Sequence, residues 1–350
     1  MRFVIHRFSV AAVALAAALV PRLAAAETYR LQLLQNPSGA SDAVTSTLDQ
    51  QGVVTGRAWT GTRWVPVLWT QGVPQVLPLP DGHTVDTVRR SEQNGYTVSA
   101  QGDRGFSMVW RPDGSSVQLS SWNGGDENCA CQGFDVDPQG RVMGRIPKDG
   151  LEQAAVWTDP TLPPTLLPTD VAVAESAVYR TSANGWMSGW RQWPETGGIK
   201  MLVWKDGLLV PTPELDALGY PSINAINANG TAVGGYLDPS RGSLAMLWKP
   251  GQVLPLPALA HTVCTATALN NLDVAVGNCT GIGVIWRNGQ VTSLTKLLDT
   301  KARAAGWMIS YPTAINDSGA IVVQAQSRND PQNRVFQAVL KPTAARASRP

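Results

Sequence analysis

Apolar and polar positions recur along this chain with a period far longer than that of any single strand or helix. Around Gly230 the order is apolar Ala225-Ile226, then a polar turn Asn227-Ala228-Asn229-Gly230, then a short small-residue stretch ending at Val233-Gly234. Ala245-Met246-Leu247-Trp248 and a second turn, Lys249-Pro250-Gly251, complete the unit. The turn glycine returns at Gly52, Gly95, Gly140, Gly185, Gly230 and Gly319, with Asp273 in the sixth place. The steps are 43, 45, 45, 45, 43 and 46 residues. A tryptophan keeps phase with it at Trp69, Trp110, Trp157, Trp204, Trp248 and Trp286, and Leu340 stands in the seventh position. Such a period marks an array of one supersecondary unit.

Each unit reads as four short strands. The first ends in an apolar residue (Leu48, Val136, Ile226, Leu269, Ile315) before a turn of Asn or Asp and Gly, residues that accept tight-turn dihedrals. The second is short and small, as in Arg141-Val142-Met143-Gly144. The third carries the tryptophan. The fourth is rich in Val, Leu and Pro, as in Val76-Leu77-Pro78-Leu79-Pro80. Proline is tolerated at a sheet edge, so the fourth strand is the outer one. Four antiparallel strands per roughly 45 residues predict propeller blades, which must stack and close because one blade cannot bury both of its faces. The fold class is therefore all-β, a seven-bladed β-propeller; a six-bladed ring or an open solenoid is the alternative. The seventh unit lacks its fourth strand, and Tyr29–Leu34 alternates like a strand ahead of the first unit. The expectation is that this N-terminal strand closes the last blade.

The repeat resembles the HAF repeat of bacterial exported proteins, with the pattern Ala-x-x-Ile-Asn-x-x-Gly-x-x-Val-Gly followed by Ala-x-x-Trp-x-x-Gly. The match spans residues 41–344; it is strongest in units five to seven and weakest in unit two, where Arg90-Ser91-Glu92-Gln93-Asn94-Gly95 replaces the Ala-Ile-Asn opening. The resemblance implies an extracellular or periplasmic propeller-like protein and carries no catalytic residues. It also implies that Asn and Trp of the motif are structural, as turn former and inter-blade filler.

Composition agrees with export. Arg2, His6 and Arg7 precede an apolar run from Phe8 to Val20, and Ala24-Ala25-Ala26 precedes Glu27. This reads as a signal peptide over 1–26, cleaved near Ala26/Glu27, with one domain over 27–344 and a disordered tail over 345–350. The run is too short to span a bilayer, and no later apolar stretch is long enough. The whole chain has 28 Lys and Arg against 26 Asp and Glu, but three of the arginines fall in the first 26 residues, which hold no acid. The mature chain is nearly neutral, without a basic run, so nucleic acid is excluded as a partner. A secreted or periplasmic monomer is expected.

Little in the chain looks catalytic. His83 and His261 each open a His-Thr-Val segment entering blades two and six, too far apart to share a metal, and no acidic cluster with ligand spacing accompanies them. Neither a metal nor a cofactor is expected. Cys264 and Cys279 flank the sixth turn symmetrically, facing each other on adjacent strands at disulfide distance. Cys129 and Cys131 either close on each other or stay reduced. Two features point to binding. Where other blades place Ala or Thr five residues before the marker glycine, blades two, three and four place Arg90, Asp135 and Arg180. These should form an Arg–Asp–Arg row beside the channel, either a satisfied ion network or an anion site. The second feature is the tryptophans outside the repeat series. Trp59, Trp64, Trp190 and Trp193 lie in or beside loops joining strands two and three, and Trp122 and Trp307 in loops joining strand four to the next blade. Both kinds of loop emerge on one face. Trp186 begins a second strand and reads as core. The leading functional reading is a non-catalytic binding protein taking a glycan or protein ligand on that face. The alternative is a polysaccharide lyase or hydrolase at the channel mouth, using His83 or His261 with Arg90 and Arg180.

Overall fold

Seven four-stranded antiparallel sheets make up the protein. The computed structural model describes residues 28–101, 106–121, 130–171, 175–193, 197–260 and 262–343. The first strands of the seven sheets are Asp42–Leu48, Thr87–Arg90, Gln132–Val136, Glu175–Thr181, Gly219–Ile226, Cys264–Leu269 and Trp307–Ile315. Each touches the first strand of the next blade, and that of blade 7 touches that of blade 1, so they form the inner wall of a closed ring. Strands two, three and four follow outward in chain order in blades 1–6. In blade 7 the outermost strand is Thr28–Leu33, paired antiparallel with Phe336–Thr343 from Thr28↔Thr343 to Leu33↔Ala338. Seven blades and head-to-tail closure are both as the sequence predicts.

The repeat tryptophans are buried, at 0–3% exposure, and their polar ends explain their place. A buried indole N–H needs an acceptor. Trp110, Trp204 and Trp286 donate to the carbonyls of Pro78, Pro168 and Pro257, where the outer strand of the preceding blade departs, at 3.1, 2.7 and 2.7 Å. Trp69 and Trp157 use the equivalent Gln35 and Ser120 carbonyls, and Trp248 uses the Glu214 carboxylate. Each tryptophan thus fills and hydrogen-bonds the seam with the blade before it.

The turn asparagines bond in the other direction. Asn227, Asn270 and Asn316 each accept from their own turn through Oδ1, while Nδ2 donates to a carbonyl of the following blade: Asn270, Asn316 and Asp49 in turn, all at 3.0 Å. Aspartate has no such donor. Where Asp49 takes the position, Arg90 of blade 2 comes to it instead, Nε to Oδ2 at 2.8 Å.

The second glycine of the repeat has a steric cause. In six blades the inner strand carries one extra residue (Ser46, Phe134, Tyr179, Asn224, Thr267, Thr313) that breaks the pairing register, a β-bulge. Opposite five of these bulges stand Gly56, Gly144, Gly189, Gly234 and Gly277. A Cβ on any of them would fall 1.7–2.1 Å from a carbonyl oxygen of the bulged strand. Blade 2 has no bulge and places Ser99 there, paired with Val88. Its extra residue sits in the turn: the Ser91 N–H reaches the carbonyl of Tyr96, whereas Asp49, Asp137 and Asn227 reach only four residues ahead. Cys264 and Cys279 are direct cross-strand partners in blade 6 and are disulfide-bonded, with Cα atoms 4.1 Å apart. Cys131 is also disulfide-bonded; Cys129, Trp122, His261, the expected signal segment and the tail after 344 lie outside the described residues. No helix among the described residues is long and apolar enough to cross a membrane.

Candidate functional site

The inner strands enclose a cavity of about 470 Å3 along the axis, lined from all seven blades. Arg90, Asp135 and Arg180 all line it, but the expected row is corrected by one residue. Because blade 2 moves its extra residue from strand to turn, Arg89 pairs with Val98 in the register where Asp135 pairs with Met143 and Arg180 with Ser188. The row is Arg89–Asp135–Arg180. Arg89 Nε stands 3.4 Å from Asp135 Oδ1, and Asp135 Oδ2 accepts from the Thr181 N–H at 3.1 Å. Arg90 occupies the position that is apolar in blades 1 and 3 and is held by Asp49 and by the Gly95 carbonyl. Arg180 has no carboxylate; its Nε and Nη1 donate to the carbonyls of Asn224 and Tyr179 at 2.6 and 2.7 Å. Burial, then the charge of Arg89, press its pKa down to about 9 against the pull of Asp135, which leaves it protonated at neutral pH.

Glu92 lies in the lengthened turn of blade 2 and faces the same cavity. Burial lifts its carboxyl to about 7; a hydrogen bond with Asn271 opposes this, and the charges of Asp317 and Asp135 add to it. Its Oε2 is buried without a hydrogen-bond partner. Once the Arg90–Asp49 and Arg141–Asp137 pairs are set aside, the cavity keeps two arginines against Asp135 and a half-neutral Glu92.

The loops joining strands two and three and those entering each blade emerge at one end of the ring, opposite the Asn-Gly turns. Trp59 and Trp64 are cross-strand partners at that end of blade 1, with centroids 5.7 Å apart and Arg57 Cζ 4.5 Å above Trp64. Trp193 is 38% exposed and covers the buried Arg191, whose Cζ is 3.3 Å from the ring centroid and which Asp170 holds. Trp190 lies further down its strand, stacked on Tyr179, which meets Phe134 of blade 3 at 4.5 Å. Trp307 opens the inner strand of blade 7 and packs edge-on against Phe336. These indoles do not form one platform; each rests on its own blade. Trp186 packs at the opposite end, beneath the Gly230 turn.

Two groups escaped the sequence reading. Phe134 and Tyr179 are the bulge residues of blades 3 and 4, and no sequence signal separates a bulge residue from its neighbours. The loop end of blades 5–7 also exposes Tyr220, Leu237, Val263 and Val335, at 85, 45, 47 and 52%. Tyr220 has φ +45°, a backbone conformation costly for an aromatic residue. His83 is not part of the cavity lining; it stacks on Phe106 at 3.8 Å. The imidazole–arginine arrangement of the enzyme reading is therefore not brought together at His83. Among the described residues, no group of three or more His, Cys, Asp or Glu is placed to hold a metal ion.

No protein-family profile matches the chain, and no curated protein matches it. Among solved structures it is similar to a streptogramin B lyase, with 12% identity and a TM-score of 0.52 over 91% of this chain and 99% of the other. It is also similar to YCF48 bound to a D1 peptide, with 9% identity and a TM-score of 0.51 over 92% and 97%. At such identities the likeness is one of fold alone, and that fold is the propeller.

Glu92 has a measurable consequence. With its folded-state pKa raised from 4.5 to about 7, the fold favours the neutral acid. Its contribution is fully present below pH 4.5 and is lost as pH rises through about 7, about 3 kcal/mol in all. Glu92→Gln is expected to remove that slope. Urea midpoints at pH 5 and 8 should fall further in the wild type than in the variant; parallel falls would show that Glu92 carries no such strain.

Proposed function

We propose that this is an exported, non-catalytic propeller that binds a glycan at its loop end and channel mouth. One observation carries the reading: aromatic rings and guanidinium groups are paired repeatedly around that end. Arg57 lies over Trp64, Arg145 over Phe134 and Arg334 over Phe336, in blades 1, 3 and 7, while in blade 4 the exposed Trp193 ring covers a buried Arg191. Aromatic faces suit the C–H faces of sugar rings, and guanidinium forks suit their hydroxyl and carboxylate oxygens. Export rests on the sequence features of residues 1–26, and the HAF resemblance points the same way. A protein ligand at the same end is the nearest variant, favoured by exposed Tyr220.

A glycan array on the wild type and on the Trp59/Trp64/Trp190/Trp193→Ala variant tests the proposal. Specific binding that the variant loses supports it; identical profiles remove these indoles from the site. The second reading, a polysaccharide lyase or hydrolase, is favoured by Glu92, a carboxyl with pKa raised to about 7 that lines the same cavity as Arg180, which is the tuning general acid–base chemistry needs. Product release from an acidic polysaccharide that stops in Glu92→Gln would favour it over the first.

A further inference from the structure

Residues 294–306, which lead from blade 6 into blade 7, fold as a 3-10 turn (Leu294–Leu297) and a short helix (Thr300–Ala304). Their apolar side is fixed. Leu294, Leu298 and Ala302 are buried in the core of blade 7, and the Asp299 N–H donates to the Tyr29 carbonyl at 2.8 Å. Asp299 Oδ1 accepts from the Ala302 N–H, and Thr295 Oγ1 from the Ile309 N–H. On the other side, this segment and the start of the inner strand enclose a pocket of about 330 Å3, lined by Lys296, Arg303, Trp307, Met308 and Arg328 among others. That volume is at the lower end of the roughly 300–1,000 Å3 typical of small-ligand sites.

The charge in this pocket is unlike that elsewhere at the loop end. Arg57, Arg145, Arg191 and Arg241 each have a carboxylate, on Asp86, Glu152, Asp170 and Asp238. Among the described residues Lys296, Arg303 and Arg328 have none within 4 Å, and no acidic residue lines the pocket. The two acids nearest in sequence are committed, Asp299 to the helix N-terminus and Asp330 to Arg334 at 3.0 Å. Arg328 Nε is oriented by the Met308 sulfur at 3.1 Å. Three uncompensated cations around one cavity with an indole on its wall form a site for a ring that carries a negative charge.

We infer that this pocket holds one anionic sugar residue, a uronate or a sulfated sugar, with its charged group among Lys296, Arg303 and Arg328 and its ring against Trp307. The inference rests on loop-end glycan binding and names the class of glycan. Tyr311, four residues beyond Trp307 on the same strand, is 49% exposed and lines the axial cavity. The pocket and the channel mouth thus share one strand.

Titration calorimetry should be run with hexagalacturonate, a sulfated hexasaccharide, neutral maltohexaose, an acidic hexapeptide and sodium sulfate. The wild type is expected to bind at least one acidic oligosaccharide, with affinity falling as salt rises, and to ignore maltohexaose. Arg303→Gln/Arg328→Gln should weaken that binding by about 100-fold, since each lost charge-assisted bond is typically worth a factor of about 10. Trp307→Leu should weaken it about 10-fold, while Leu208→Ala, at a 72% exposed position on the outer strand of blade 4, leaves it unchanged. Matching thermal melts confirm that the variants are folded. The inference is overturned if maltohexaose binds as well as the acidic ligands, if sulfate alone binds as tightly, if an acidic peptide binds where no glycan does, or if the double variant binds like wild type. Should no glycan bind the wild type, the broader loop-end reading falls as well. Should glycans bind and only the Trp59/Trp64/Trp190/Trp193→Ala variant lose them, this pocket alone is wrong.

Discussion

A chain shortened to begin at Gln35 is expected to lose cooperative unfolding, and a permuted chain that returns the missing segment to the other end is expected to regain it. Thr28–Leu33 supplies the outer strand of blade 7. Its six cross-strand pairs would go, leaving Phe336–Thr343 as an open edge. Tyr29, at 0% exposure, would leave the cluster of Leu294, Leu298 and Leu340, and Asp299 would lose its acceptor on Tyr29. Leu34 would leave the core of blade 1. Loss of one buried aromatic alone costs about 3–5 kcal/mol, a large part of the roughly 5–15 kcal/mol that holds a domain together. The register supplies the rescue. Thr28 and Thr343 face each other at one end of the pair, so a hairpin linker of about 2–5 residues can join them, with the new ends in residues 35–41. Calorimetric melts would read both chains. A truncated protein melting as sharply and at the same temperature as wild type would mean that the ring does not depend on its closing strand.

The second large effect is at a repeat tryptophan. Trp204→Ala should cost about 3–5 kcal/mol. It empties the seam where Met143, Ala154 and Val156 of blade 3 meet Val178, Met187 and Leu202 of blade 4, and it strands the Pro168 carbonyl. Trp193→Ala is the same chemical change at a 38% exposed ring and should cost under about 1 kcal/mol. Urea unfolding of the pair gives the contrast directly. Equal losses would contradict the division of the tryptophans into seam residues and surface residues.

That division was legible in the sequence, because a seam is a periodic requirement: each blade must meet the one before it, so the same side chain recurs at the same phase. Blade number, strand count, the closing strand and the Cys264–Cys279 bond followed from the same periodicity. The errors arose where the period is kept by compensation. Blade 2 trades a strand bulge for a longer turn, so the spacing to Gly95 hides a one-residue shift, and Arg89 rather than Arg90 stands beside Asp135. Counting from the glycine cannot detect this, and the missing second glycine does not betray it either, since blade 7 places Val323 at the phase of Ser99 and still bulges at Thr313. The Lys296, Arg303 and Arg328 cluster was invisible for another reason. It lies in a linker whose helical counterpart, Pro213–Asp216 before blade 5, is shorter and carries none of these cations, and one member comes from 25 residues further on. Trp307 stands outside the repeat series and is visible as such, but nothing in the spacing shows which cations reach it.

The bond between the two ends also fixes an order of events in the making of this protein. A ribosome delivers Thr28–Leu33 before, and Phe336–Thr343 after, the other strands of the seven sheets. At about 5–20 residues per second, the leading strand spends tens of seconds without its partner while the intervening sheets take shape. Tyr29 stays solvated for that whole interval, and any factor that shelters a nascent β-strand has a defined window in which to act on it.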